Sequence, residues 1–207
     1  QAPVDVVRAI EAEVQALIRE VVLKAFPEHG FDVDRGGPGG VIPRRAGDRP
    51  CWVVTPLDGV GNYLRGYPQY AVAIALVDAA EPVLGVIYDP CRNEFFGAIR
   101  GRGAVLNAQP IKAAARRTPA ESLAATVFPR AASPRMPVYM AELGRMLRAF
   151  SGVRRSGSMA LELACLAAGR IDAFWQHDMS AWDAAAAIVL LRESGALVTA
   201  RDGRPLL

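Results

Sequence analysis

Two aspartates in unlike surroundings are the residues of this chain most suited to chemistry. The run Trp52-Val53-Val54-Thr55-Pro56-Leu57-Asp58-Gly59-Val60-Gly61-Asn62-Tyr63 carries a β-branched strand into Pro-Leu-Asp-Gly. That places Asp58 just past a strand end, where a sheet presents side chains to a ligand. Gly59 and Gly61 leave backbone N–H groups bare, and if a helical turn starts there, those donors suit a phosphate. Taken alone, Pro-x-Asp-Gly is first of all a turn. The second run is Ser180-Ala181-Trp182-Asp183-Ala184-Ala185-Ala186-Ala187, with Asp183 in the first turn of an alanine-rich helix. A carboxylate there favours the helix N-terminus without any partner. Two such carboxylates from distant segments could instead converge on one divalent cation, because hard cations take carboxylate oxygen.

The elements that would position these residues can be read from periodicity. Val6, Val7, Ile10, Val14, Leu17, Ile18, Val21 and Val22 recur at three- and four-residue intervals, which predicts a helix ending before Pro27. Residues 31 to 50, rich in Gly and Pro, read as a mobile loop. From Cys51 onward short β-rich runs at 52–55, 71–78, 83–88, 94–98 and 104–106 predict a largely antiparallel sheet. Beyond Thr118 the order becomes strand 123–128, helix 138–150, strand 153–155, helix 158–168, strand 171–175, helix 181–194 and strand 196–200. That alternation is the mark of a layered α/β half. One domain over residues 1–207 is expected, with a soft sub-domain boundary near 118.

Composition narrows the function classes. The chain has 207 residues, 52% apolar and 22% charged, with 24 Lys and Arg against 21 Asp and Glu, a net charge of +3. That is a globular protein with a core of its own and no basic surface of the kind nucleic acid requires. Arg44–Arg45, Arg116–Arg117 and Arg154–Arg155 lack interleaved aromatics and read as solvated charge. Cys51, Cys91 and Cys165 have no metal-ligand spacing and read as buried, reduced thiols. No apolar run approaches the roughly 18 residues of a membrane span. The odd, unspaced cysteines lead us to expect a cytoplasmic protein, and no signal-peptide features are seen at the start of the sequence. His29 and His177 have no partner spacing and read as surface residues, and Trp182 reads as packing for Asp183.

At these residues the chain resembles the inositol monophosphatase family. The family's Trp-x-x-Asp-Pro-hydrophobic-Asp-Gly-Thr-x-Asn-Phe is similar to residues 52 to 63, and its Trp-Asp-x-Ala-Ala is similar to Trp182 to Ala186. The segments Gly85 to Pro90, Gly101 to Ile111, Gly157-Ser158-Met159-Ala160 and Ala168 to Trp175 resemble it in the same order, from about residue 8 onward. The resemblance implies a layered α/β/α/β/α sugar-phosphatase fold, usually a homodimer. It implies Mg²⁺-dependent hydrolysis of small phosphomonoesters such as inositol phosphates, in which metal ions hold the phosphate and activate a water. Carried over by position, it implies metal contacts at Asp34, Leu57, Asp58 and Asp183, and catalytic roles at Asp58, Asp34 and Thr55. It implies phosphate contacts at Gly59 and Val60, and substrate contacts at Gln176, Ser158 and Met159. Family members continue past the equivalent of Leu206 through a further strand and helix, so the resemblance implies that residues are missing at the ends.

The departures fall on one site. Thr55 offers a hydroxyl where the family has a metal-bridging Asp. Val33-Asp34-Arg35 replaces Gly-Glu-Glu, and Val60 replaces a Thr whose hydroxyl positions the attacking water. No Thr-x-x-Asp partner precedes the first helix, and Gln176 replaces a pocket Glu. Two functions follow: a phosphomonoesterase with weakened activity and Mg²⁺ weak or absent, or an inactive relative that binds a phosphorylated ligand or a protein partner. A third, RNA-associated role rests only on the slight basic excess.

Overall fold

The computed structural model describes residues 3–33, 49–115, 118–129, 132–177, 179, 181–200 and 202–204. Helix α1 spans Pro3–Ala25. Strands β1 (Gly30–Val33), β2 (Cys51–Asp58), β3 (Ala71–Asp78), β4 (Glu81–Asp89), β5 (Glu94–Ile99), β6 (Ala104–Leu106) and β7 (Gln109–Ile111) form one sheet in sequence order. Its pairings are antiparallel except β1 with β2, which is parallel from Gly30 opposite Cys51 to Val33 opposite Val54. The short helix α2 is Val60–Tyr63, α3 is Met136–Ala149, α4 is Met159–Ala167 and α5 is Ala181–Glu193. Strands β8 (Leu123–Thr126), β9 (Gly152–Arg154) and β10 (Ala173–Trp175) make a second, parallel sheet in the order β10-β8-β9.

The layers follow from which faces are apolar. Ala184 to Leu191 of α5 are all buried, so this helix has no solvent side and must lie between two layers. It rests on β2, β3, β4 and β5 and beside α4, which in turn touches β8 and β10. Helix α1 covers β1 and β2, and α3 flanks β9. The result is α1, large sheet, α4 with α5, small sheet, α3: the five layers expected. The core joins Val53, Ala73, Ala75, Ile87 and Phe96 of the large sheet to Leu161, Leu163, Ala186 and Leu190 of the helices.

Close approach is enforced at Gly85 in β4, where an added Cβ would stand 2.2 Å from the Ala186 carbonyl oxygen. Only glycine lets α5 settle this deeply on the sheet. At the far end of α5 the Glu193 carboxylate accepts from the Gly101 and Gly103 N–H groups, both at 2.7 Å. This holds the β5–β6 turn to the helix.

The structure departs from the sequence reading in several places. Gly30–Val33 is strand, not loop, because four residues suffice for a parallel edge beside β2; residues 34 to 48 of that loop lie outside the described residues. The expected strand at 196–200 reduces to a single bridge at Thr199. Val6, Leu17 and Val21 of α1 are exposed while Val7 is buried, so the packed stripe is narrower than the apolar one. The cysteines are free thiols, but Cys91 is exposed and the others half-buried. His29 is half-buried and stacks on Phe26 at 4.9 Å. His177, 7% exposed, meets Glu142 at 2.6 Å. Neither histidine is a surface group.

Candidate functional site

Strand β2 delivers Asp58 through an irregularity. Thr55 pairs with Ala73 and Asp58 with Ala71, three steps along β2 against two along β3. The extra residue makes a bulge between Thr55 and Asp58, a stretch that holds Pro56, which has no N–H to give to a ladder. In a regular strand residues three apart point to opposite faces. Here their cross-strand partners are two apart, so Thr55 and Asp58 share a face. That face is the one Ala71 and Ala73 turn toward α4 and α5. The chain then turns at Gly59, whose φ of +90° is open to glycine at little cost, and enters α2 at Val60.

Asp58 is received by the start of α4. Its Oδ2 accepts from the Ser158 hydroxyl at 2.6 Å and from the Ala160 N–H at 2.8 Å. Ser158 is the N-cap of α4, and its oxygen also accepts from the Leu161 N–H at 3.3 Å. The open N–H groups of the helix are thus divided between its own cap and a carboxylate 100 residues away. Burial pushes the Asp58 carboxyl above the usual carboxylate range, while Ser158, Ala160 and Gly59 pull it back down.

The loop before α4 is tied as closely. Asn62 of α2 donates through Nδ2 to the Gln69 carbonyl at 2.7 Å and to the Ser156 carbonyl at 2.9 Å. Gly157, at φ +91°, leaves the room this needs: a Cβ there would stand 2.8 Å from Asn62 Nδ2. The Ser156 N–H donates to Glu162 Oε1, and Glu162 is 2% exposed. Desolvation raises the Glu162 carboxyl against the pull of Ser156, and the Asp58 charge raises it further.

The structure therefore joins Asp58 with Ser158 and sets Thr55 and Asp58 in the second half of β2, with Gly59 and Val60 directly after it. Leu57 is buried at 8% exposure, so its backbone carbonyl is all it offers a ligand. Met159 is likewise packed into the core. Asp183 stands half-buried in the first turn of α5. Gln176, just after β10, lines a cavity of about 710 Å³ whose walls include none of Thr55, Asp58, Ser158 or Asp183. Its Oε1 is buried without a partner among the described residues. Asp34 and the Trp182 side chain lie outside the described residues. Sequence reasoning missed Asn62 and Glu162. The available signal was a lone carboxylate inside the apolar run Met159 to Ala168, since Glu is almost never buried without a purpose.

The donors near Asp58 fit Mg²⁺ in kind and fall short in charge. The Thr55 hydroxyl, the Leu57 carbonyl and the Asp58 carboxylate offer hard oxygen of the kind Mg²⁺ takes, and Asp183 carries another carboxylate at the start of α5. A carboxyl raised by burial is also one that a cation would recharge. Yet no three His, Cys, Asp or Glu gather into a metal-holding group among the described residues.

Two sheets enclosing a helical pair, with a strand-end aspartate bonded to the start of one of those helices, define a layered α/β protein of the sugar-phosphatase type. The chain belongs to the inositol monophosphatase family, whose pattern matches residues 1–207. It is 36% identical over 203 residues to an inositol-1-monophosphatase of Rhizobium meliloti (strain 1021), covering 98% of this chain and 75% of that protein. To Nus factor SuhB of Xylella fastidiosa (strain Temecula1 / ATCC 700964) it is 40% identical over 191 residues, covering 90% of this chain and 67% of that one. The crystal structure of extragenic suppressor protein suhB from Bartonella henselae superposes with a TM-score of 0.85 at 36% identity, over 94% of this chain and 73% of that chain. The fold is also that of an IMPase/NADP phosphatase complexed with Mg²⁺ and phosphate, with a TM-score of 0.80 at 19% identity, over 96% and 72% of the two chains. No helix among the described residues is long and apolar enough to cross a membrane.

Proposed function

We propose that this chain is a phosphomonoesterase of weakened activity that acts on small polyol or sugar phosphates, inositol monophosphate among them, with Mg²⁺ weakly held. The observation that carries the reading is the bonding of Asp58 to Ser158 and Ala160, which preserves the strand-end carboxylate in a fixed orientation. When bound, the metal would neutralise the ester's phosphate and lower the pKa of a water for attack. Asp58, Asp183 and the Leu57 carbonyl are the residues that would hold it, with Thr55 adding a neutral oxygen. Gly59 and Val60 present the backbone of the α2 turn to the phosphate. Val60 has no hydroxyl with which to orient a water, and Thr55 brings no charge, so turnover is low.

The test is steady-state phosphate release from a panel of polyol and sugar phosphates with Mg²⁺. Slow release that Asp58→Asn removes supports the reading. Robust turnover of one ester, equally dependent on Asp58, would show that the replaced ligands are supplied from elsewhere. Asp183→Asn should weaken Mn²⁺ binding, read by paramagnetic resonance, as much as Asp58→Asn does; an unchanged affinity would remove Asp183 from the site.

A second reading is favoured by Thr55 and Val60 together, and by the likeness to relatives named Nus factor SuhB. In it the same cleft binds a phosphorylated ligand or a protein partner without hydrolysis. Metal-independent binding of inositol phosphate with no turnover would favour it.

A further inference from the structure

Glu162 is difficult to explain as packing. It lies in α4 between Leu161 and Leu163, is 2% exposed, and its Oε2 is buried without a hydrogen-bond partner among the described residues. A leucine of similar size would avoid that cost, because a buried polar atom left unpaired destabilises the fold. What the carboxylate does provide is a hold on one peptide. Its Oε1 accepts from the Ser156 N–H, while the Ser156 hydroxyl donates within the same loop to the Ser158 carbonyl at 3.4 Å. The carbonyl of Ser156 is held from the opposite side by Asn62 Nδ2 at 2.9 Å. Both backbone polar groups of Ser156 are thus fixed by side chains of two different helices. Two residues on, Ser158 donates its hydroxyl to Asp58. The intervening Gly157, at φ +91°, is free to relax once either hold is lost.

We infer that Glu162 is a positioning residue: by fixing the Ser156 peptide it sets the Ser158 hydroxyl and the Ala160 N–H where they orient the Asp58 carboxylate. The effect on turnover rests on the phosphatase reading above; the hydrogen-bond geometry does not. Glu162 touches no reacting atom and acts only through the loop. Its uncharged isostere keeps an oxygen that can accept from Ser156, so Glu162→Gln preserves the hold. Glu162→Leu removes it while filling the same space with an apolar side chain suited to its neighbours.

The test compares wild type, Glu162→Gln and Glu162→Leu by thermal midpoint, by amide hydrogen exchange, and by hydrolysis of inositol 1-phosphate with Mg²⁺. In Glu162→Leu the midpoint should hold or rise. The Ser156 and Ala160 amides should exchange at least tenfold faster, while the Leu163 and Ala164 amides of the same helix stay protected. kcat/KM should fall by at least tenfold, and Glu162→Gln should restore both exchange and rate to within about threefold of wild type. A midpoint that falls together with protection along all of α4 would overturn the inference and make Glu162 an ordinary structural residue. So would unchanged exchange at Ser156 and Ala160 in Glu162→Leu. If wild type hydrolyses nothing, the phosphatase reading is what fails, and the amide exchange still decides the role of Glu162.

Discussion

At the scale of single residues, the site depends on side chains that bond across long stretches of chain. Asn62 joins the turn after β2 to the loop before α4, with one amide nitrogen serving two carbonyls. Asn62→Ala should therefore cost about 1–3 kcal/mol, the range for buried carbonyls left without a donor, and chemical denaturation measures it directly. Asn62→Asp removes the same donor and adds an acceptor facing two carbonyl oxygens, so it should be worse than alanine. A smaller loss in Asp than in Ala would show that the two carbonyls find other donors. The aspartate of the Pro-Leu-Asp-Gly turn was visible in the sequence because its residue types are distinctive. Asn62 was not, because an Asn directly after a glycine ordinarily signals only a turn; its partners, Gln69 and Ser156, are known only once the chain is folded.

At the scale of elements, two contacts give predictions of different size. Gly85→Ala would drive a methyl group into the Ala186 backbone of α5, with the carbonyl oxygen 2.2 Å and the carbonyl carbon 2.9 Å from the new Cβ. Backbone cannot swing aside as a side chain can. A loss of about 3 kcal/mol is expected, the upper end for overpacking, and a scanning melt should register it as a lower midpoint. The second contact is the fork of Arg170 on Glu94, two bonds of 2.7 Å that hold the region after α4 to β5. Arg170 holds the Glu94 carboxyl below the usual carboxylate range. A depressed folded-state value means that the pair's contribution is complete above the unfolded value of about 4.3 and is lost as pH falls through the lower folded value. Glu94→Gln should then be less stable than wild type at pH 7 by no more than about 1 kcal/mol, since Arg170 is 43% exposed and screened by solvent. The gap should close as pH falls below about 4. A gap that stays constant with pH would mean that packing, not charge, holds this contact. Elements of this kind were legible where burial alternates cleanly, as along Ala71–Asp78. They were illegible where pairing alone defines them, as at β1 and β7, whose few residues carry no period of their own.

At the scale of the whole molecule, the five-layer framework is that of the family, and the proposal that its metal site has lost charge can be tested separately from the fold. The bulge between Thr55 and Asp58 sets them on one face, so a carboxylate placed at position 55 would point to the face where Asp58 points. Nothing in the sequence announces that bulge beyond the proline itself, which is why the shared face emerges only from the register of β2 on β3. Thr55→Asp adds a half-buried negative charge near Asp58. Without metal the variant should melt below wild type, because like charges close together in a partly desolvated site oppose one another. With Mg²⁺ the order should reverse, since a ligand that binds only the folded state stabilises it in proportion to its affinity. A tenfold tighter site is about 1.4 kcal/mol, and calorimetric titration with Mg²⁺ or Mn²⁺ should show at least that gain. Val60→Thr alone restores one hydroxyl and no charge, so it should leave metal affinity unchanged. Its effect on rate should appear only in the Thr55→Asp background, where groups that act as one unit give more together than separately. If Thr55→Asp melts lower in Mg²⁺ as well as without it, and its metal affinity equals that of wild type, the cleft is not a depleted metal site and the ligand-binding reading takes its place.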